Sequence, residues 1–166
     1  MEKEGMNMTA VQSMYLKKEI KMKKDFVVTA YIVKDGKVLL VHHKKLNKWL
    51  PVGGHIDEAE TPEEALHREV REEAGIEIEI VCKKDENGKE RGKVEMLATP
   101  NHIQLEEIDG KHQHIDLVYF ARAKHNHVKL KEDEHHEIKW FSEDEMNSSE
   151  IPHNVRYFAR KAIMRL

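Results

Sequence analysis

Cysteine is almost missing from this chain: Cys82 is the only one in 166 residues, which excludes an internal disulfide and a cysteine-rich zinc site. Proline (4) and glycine (8) are sparse, and no Pro/Gly/Ser-rich linker or internal repeat divides the sequence, so one domain with an ordinary core is expected. Neither sign of charge dominates. With 28 Lys+Arg against 31 Asp+Glu the formal charge is only −3, which gives no global electrostatic case for binding a long nucleic acid or a membrane surface. Long hydrophobic runs are lacking too: nothing approaches the roughly 18 apolar residues that cross a bilayer, and the N-terminus has no apolar signal core. A cytoplasmic protein without a membrane partner is the expectation.

What is present begins with a Met- and Lys-rich stretch, 1–24, around a short helix containing Val11, Met14 and Tyr15. It reads as an extension to a domain at 25–166, packing on that domain or on a second subunit of a homodimer, or else loosely ordered. From Phe26 the pattern is regular. FVVTAYIV reads as a buried strand, Asp35-Gly36 as a hairpin turn and KVLLVHH as the returning strand, with a loop over 45–61 behind it. After a helix, IEIEIVC alternates as a strand, Asn87-Gly88 marks a turn, and short strands around Val94–Ala98 and His102–Leu105 precede the Asp109-Gly110 turn. HIDLVYFARA reads as a central strand and EIKWF as the last one. Ser142 and Glu145 suggest a capping box, and a final helix from Pro152 places Val155, Phe158, Ala159, Ala162, Ile163 and Leu166 on one face. Helices on both sides of a mixed sheet give an α/β class, arranged as an α/β/α sandwich.

The richest stretch is GHIDEAETPEEALHREVREEAGI, from Gly54 to Ile76. Thr61 is an N-cap candidate, Pro62 suits the first helical position, and Glu64 completes a capping box. Gly75 stands where the chain needs a left-handed residue to leave the helix, so the helical body should span Pro62 to Ala74. Leu66, Val70 and Ala74 form a narrow apolar stripe. At about 100° per residue, Glu69, Glu72 and Glu73 project together beside that stripe. Arg68 can partner Glu72 but cannot neutralise three carboxylates, and like charges at these spacings destabilise a helix unless a cation joins them. Taken alone, REVREE reads more simply as a solvated Arg/Glu-rich helix.

The longer spacing resembles the signature of the Nudix hydrolase family, G-x5-E-x7-R-E-U-x-E-E-x-G-U with U aliphatic, through Gly54, Glu60, Arg68, Glu69, Val70, Glu72, Glu73, Gly75 and Ile76. Every position agrees. Val52 splits the more usual Pro-Gly-Gly that precedes the signature, yet both glycines remain. The resemblance implies a Nudix-type sandwich and a Mg²⁺-dependent hydrolase, Mn²⁺ being the alternative ion. Its substrate would be a small nucleoside diphosphate linked to a further group X. It implies Glu69, Glu72 and Glu73 as metal ligands with the backbone carbonyl of Gly53, Glu69 or Glu72 as general base, and Arg68 and Glu60 as the residues that position them. In some members a further glutamate before the last strand assists, which points here to Glu134, although Glu132, Asp133 and Glu137 are neighbours in an exposed charge run. Subgroups acting on ADP-ribose resemble each other in a proline about fifteen residues beyond the signature. Here that stretch reads GKERGK, so nucleoside triphosphates rank first by default.

Outside the signature, His102, Gln104, His114 and Asp116 are candidate substrate contacts, while half-exposed sheet polarity explains any one of them as well. Trp49 and Trp140 suit stacking on a base or packing. His42, His43, His112, His114, His135 and His136 raise the question of zinc; the rings of His112 and His114 would project from one strand face, but no third ligand is apparent. Two other readings compete with hydrolysis: a Nudix-fold nucleotide sensor without turnover, against which the full glutamate set argues, and a diphosphate isomerase, for which no paired Cys and Glu are recognisable.

Overall fold

β1 (Lys23–Lys34) and β2 (Lys37–His43) are joined by Asp35 and Gly36, whose φ angles of 49° and 70° make the tight hairpin that the Asp-Gly pair predicts. The computed structural model describes residues 22–82 and 94–166. The helix expected in 1–24, the Asn87-Gly88 turn and the whole GKERGK stretch lie outside the described residues. Beyond β2 come β3 (Lys48–Leu50), β4 (Val52–His55), α1 (Pro62–Ala74), β5 (Ile78–Ile80), β6 (His102–Asp109), β7 (His112–Ala123), β8 (His135–Phe141) and α2 (His153–Arg165).

Among the described residues eight strands form one mixed sheet, with β1 and β7 parallel at its centre over a register running from Lys23↔His112 to Val33↔Arg122. β1 changes partner along its other edge, from β4 at Val27–Ala30 to β2 at Val33–Lys34. β6 lies antiparallel on the outer edge of β7, and β8 on that of β2. The strand alternation sends Val28, Ala30 and Ile32 of β1 into a core with Leu66, Val70 and Ala74 of α1, and Tyr31 and Val33 into a second core with Val155, Phe158, Ala159 and Ala162 of α2. One helix covers each face of the sheet, which is the expected α/β/α sandwich.

Four local expectations are corrected. The stretch 45–61 is not a plain loop, since β3 and β4 occupy it; Val52, Gly53 and Gly54 pair with Ala30, Thr29 and Val28 of β1, and a glycine pair carries no strand propensity from which to foresee this. Val94–Ala98 is not a strand. Val94, Met96 and Leu97 are exposed, and the Ala98 N–H donates to the Glu63 carboxylate instead of a ladder carbonyl. The IEIEIVC strand ends at Ile80, because the Asn101 side chain then takes ladder positions: its Oδ1 accepts from Phe120 N at 2.6 Å and its Nδ2 donates to Val81 O at 3.4 Å. Ser142 N and Oγ both donate to Glu145 Oε2, at 2.9 and 3.0 Å, ahead of a 3-10 turn at Asp144–Asn147, and Glu145 N returns its bond to the Ser142 carbonyl, so the contact is neither a full capping box nor the start of a full helix.

Candidate active site

Helix α1 starts as the sequence predicts. Glu64 N donates to Thr61 Oγ1 at 3.3 Å and Thr61 N donates to the Glu64 carboxylate at 2.8 Å, a complete capping box. It ends at Gly75, whose φ of 65° is the left-handed exit a side chain would strain. Between these ends Leu66, Val70 and Ala74 are fully buried, which fixes the helix rotation and turns the flank bearing Glu69, Glu72 and Glu73 toward β4 and β1.

That flank forms one side of a cavity of about 650 Å³. Gly53 and Gly54 of β4 complete the same side, and at Gly54 the approach is so close that a Cβ would collide with the Glu69 carboxylate. Gly53 N donates a long bond, 3.4 Å, to Glu73 Oε2. Arg68 is the anchor of this side. Its Nε and Nη2 grip both oxygens of Glu60 at 2.8 and 2.9 Å, its Nη1 donates to Glu69 Oε1 at 2.8 Å, and its Nη2 donates to the His55 carbonyl at 3.0 Å. Glu72 stands 3.7 Å from the same guanidinium and is about half exposed. The Arg68 hydrogen bonds hold the Glu60 carboxyl below its usual range, whereas burial pushes Glu69 up, against the pull of Arg68 and with Glu73 and Glu72 adding to the rise.

The opposite side comes from β6, β7 and the start of α2. Asp116 is 2% exposed. Its Oδ2 accepts from Gln104 Nε2 at 2.8 Å, and Oδ1 is buried without a hydrogen-bond partner among the described residues. Gln104 Nε2 also reaches Glu106 Oε1 at 2.8 Å, which accepts from Asn154 Nδ2 at 3.1 Å. Burial raises both acids, Asp116 against the hydrogen bonds from Gln104 and Thr29, and Glu106 with the Asp116 charge adding to the effect. Glu134 and His135 close the third side. The ligand atoms of Glu73, Glu134 and His135 lie within 4.8 Å of one another, His135 Nε2 is 3.5 Å from Glu73 Oε1, and both His135 ring nitrogens are buried without a partner among the described residues.

The cavity thus gathers Gly53, Gly54, Glu69, Glu72, Glu73, Gln104, His114, Asp116 and Glu134 from the residues singled out in the sequence. Arg68 and Glu60 brace it from behind, and Gly75 ends the helix that carries it. Trp49 and His102 are not brought in. Trp49 packs edge-on against Phe141 in the core under α2, ring centres 4.7 Å apart, and His102 lies 5.0 Å from Phe158, outside the cavity lining. Trp140 likewise packs against the core under α1. Sequence reasoning passed over His135 and Glu106 as members of the cavity. Only the packed fold brings them there: β8 sets His135 beside Glu73 of α1, and β6 sets Glu106 beside Gln104 and Asn154.

The carboxylate oxygens on one flank, with glycine backbone in close approach, suit a hard divalent cation. Among the described residues no helix is long and apolar enough to cross a membrane. A model of the NUDIX domain matches residues 23–165. A hydrolase of the NUDIX family from Clostridium perfringens is 35% identical, with 87% of this chain and 99% of that one covered and a TM-score of 0.79. The MutT NUDIX hydrolase from Burkholderia pseudomallei, 24% identical with 87% and 98% covered and a TM-score of 0.61, and a UDP-X diphosphatase, 15% identical with 96% and 71% covered and a TM-score of 0.59, share the fold.

Proposed function

The chain belongs to the NUDIX domain family and is a pyrophosphohydrolase, and from that premise we propose that it is Mg²⁺-dependent and cleaves a nucleoside diphosphate linked to X, with nucleoside triphosphates ranked first. The observation carrying this reading is the shared cavity face of Glu69, Glu72 and Glu73, with Arg68 and Glu60 locked behind it. Those three glutamates and the Gly53 carbonyl would hold the ion. When bound, it supplies charge screening for the phosphates and acidifies water.

The chain's own residues do the rest. Water attacks phosphorus as the anhydride P–O bond breaks, the leaving group keeps the bonding pair as a phosphate oxygen, and the water proton passes to Glu69 or Glu72. Burial raises the Glu69 carboxyl above its usual range, against the pull of Arg68. Arg68 restrains it from swinging away. Glu134, paired with Lys131 at 2.8 Å, stands by as a further base or ligand. Gln104, His114 and Asp116 would face the nucleotide from the opposite side, where the unpartnered Asp116 oxygen offers an acceptor to a base amino or imino group. The residues named here all come from one chain, and a cytoplasmic setting fits the reaction.

The test is a panel of nucleoside triphosphates and diphosphate derivatives with Mg²⁺, read as phosphate release after a coupled phosphatase. Turnover of one class that disappears with a chelator supports the reading; no turnover across a broad panel sinks it in favour of ligand sensing.

A further inference from the structure

Beyond the glutamates of α1 a second group of metal-ligating side chains lies on the opposite face of the sheet, the one that packs against α2. Alternation along β7 sends His112 and His114 to one side, with ring centres 4.7 Å apart. The sheet register brings in a third ring from another strand: Asp25 of β1 is opposite His114, and Val27, two residues on, is opposite His55 of β4. His55 and His114 ring centres are 5.0 Å apart, and the ligand atoms of His55, His112 and His114 all fall within 4.8 Å of one another. The third ligand absent from the His112–His114 spacing in the sequence is therefore His55.

We propose that His55, His112 and His114 form a nitrogen-rich site for a borderline divalent cation of the zinc class, with Asp25 as the carboxylate that orients His112. Three imidazoles without a thiolate suit Zn²⁺ and disfavour Mg²⁺, which demands oxygen. Asp25 Oδ2 stands 2.8 Å from His112 Nε2, the carboxylate–histidine contact that fixes a ring's tautomer and leaves its Nδ1 as the ligand atom. His114 Nε2 is buried and has no hydrogen-bond partner among the described residues, as a ligand nitrogen awaiting its ion would be. A tetrahedral zinc with bonds of about 2.0–2.1 Å sets its nitrogens about 3.3 Å apart. Reaching that spacing takes a rotation of His55, whose side chain is 55% exposed and carries little packing against it. Lys23 Nζ, 2.8 Å from Asp25, is 73% exposed, free to swing into solvent.

The ion would sit where β4, β1 and β7 run side by side, clasping three strands at the mouth of the cavity. His55 and His114 also line that cavity, so a bound cation would place a positive charge beside the substrate's path. This site is independent of the glutamates. It stands or falls whether or not hydrolysis proceeds as proposed above.

The experiment is zinc retention by the full chain dialysed against excess Mg²⁺, measured as metal per chain, together with the imidazole ¹⁵N spectrum. The wild type should hold one zinc, with the shifts confined to His55, His112 and His114. His112→Ala, a residue outside the cavity lining, should lose that zinc, and Asp25→Asn should bind it about 10–100-fold more weakly. Glu72→Gln should retain it unchanged. A thermal melt closes the test independently of folding yield: zinc raises the midpoint of the wild type and leaves that of His112→Ala where it was. Zinc retained equally by His112→Ala, retention lost in Glu72→Gln, or no retention by the wild type would each overturn the assignment.

Discussion

The two facing sides of the cavity are built by different means. The α1 side takes all its acids from one turn-and-a-half of helix, and Arg68, Glu60 and Gly54 hold them in place from within a short stretch of chain. The β6–β7 side assembles Gln104, Glu106, His114 and Asp116 from two strands and Asn154 from α2, and its contacts exist only through register and the docking of α2. Chemistry common to a whole family can be encoded in helical spacing. Selectivity for one ligand is left to residues whose neighbours are far away in sequence.

The strongest way to break that contrast is to neutralise the helical side. Glu72→Gln or Glu73→Gln should remove most turnover while the thermal midpoint moves little, because the loss is of charge toward the ion and not of core packing. Near-normal phosphate release by both variants would show that the acids on α1 are ordinary surface charge. Leu66→Ala attacks the rotation of the same helix: Leu66 is fully buried, and the truncation should lower unfolding free energy by about 2–5 kcal/mol in a denaturant titration. An unchanged midpoint is the result that refutes this orientation.

The strand side is sharpened by pH. Burial raises Asp116 above its ordinary carboxylate value, so between the unfolded and folded pKa values the native state holds the extra proton. Stability should therefore fall as pH rises through that window, by about 1.4 kcal/mol for each unit of displacement. Asp116→Asn should flatten this slope in urea melts taken across the acid range. Glu60 has the opposite sign, since Arg68 holds it below its usual value; its contribution is present above the unfolded pKa and disappears as pH falls through the folded one. A melt series in which Asp116→Asn leaves the slope untouched removes the buried-acid reading. The smallest effect is at the helix start, where Thr61→Ala should cost about 1 kcal/mol by deleting the cap, visible as a shift in midpoint with turnover per folded molecule preserved.

How far the sequence could be read follows the same divide. Thr61, Pro62, Glu64 and Gly75 delimit α1 because capping is a local interaction, and Asp35-Gly36 sets the first hairpin for the same reason. Leu66, Val70 and Ala74 announce the buried side through spacing alone. By contrast, β4 was hidden, because Gly53 and Gly54 are placed in a strand by β1 and by the need to approach Glu69, not by their own propensity. His102 sits two residues from Gln104 on β6 yet falls outside the cavity, against Phe158, because the cavity ends where α2 settles on the sheet. Trp49 has the size and polarity of a stacking residue but is claimed by Phe141 and His42. In each case the deciding neighbour comes from another element.

The Asn101 amide has a consequence of its own. By taking a donor from Phe120 and giving one to Val81, it knots the chain together at the two points where the segment between them departs from and rejoins the sheet. Val81 and Asn101 are thereby held beside β7, where Val81 N also donates to Phe120 O and Asn101 N to Val118 O. Replacing Asn101 with Ala would strip two backbone groups, Phe120 N and Val81 O, of the side chain that now pairs them, at one stroke.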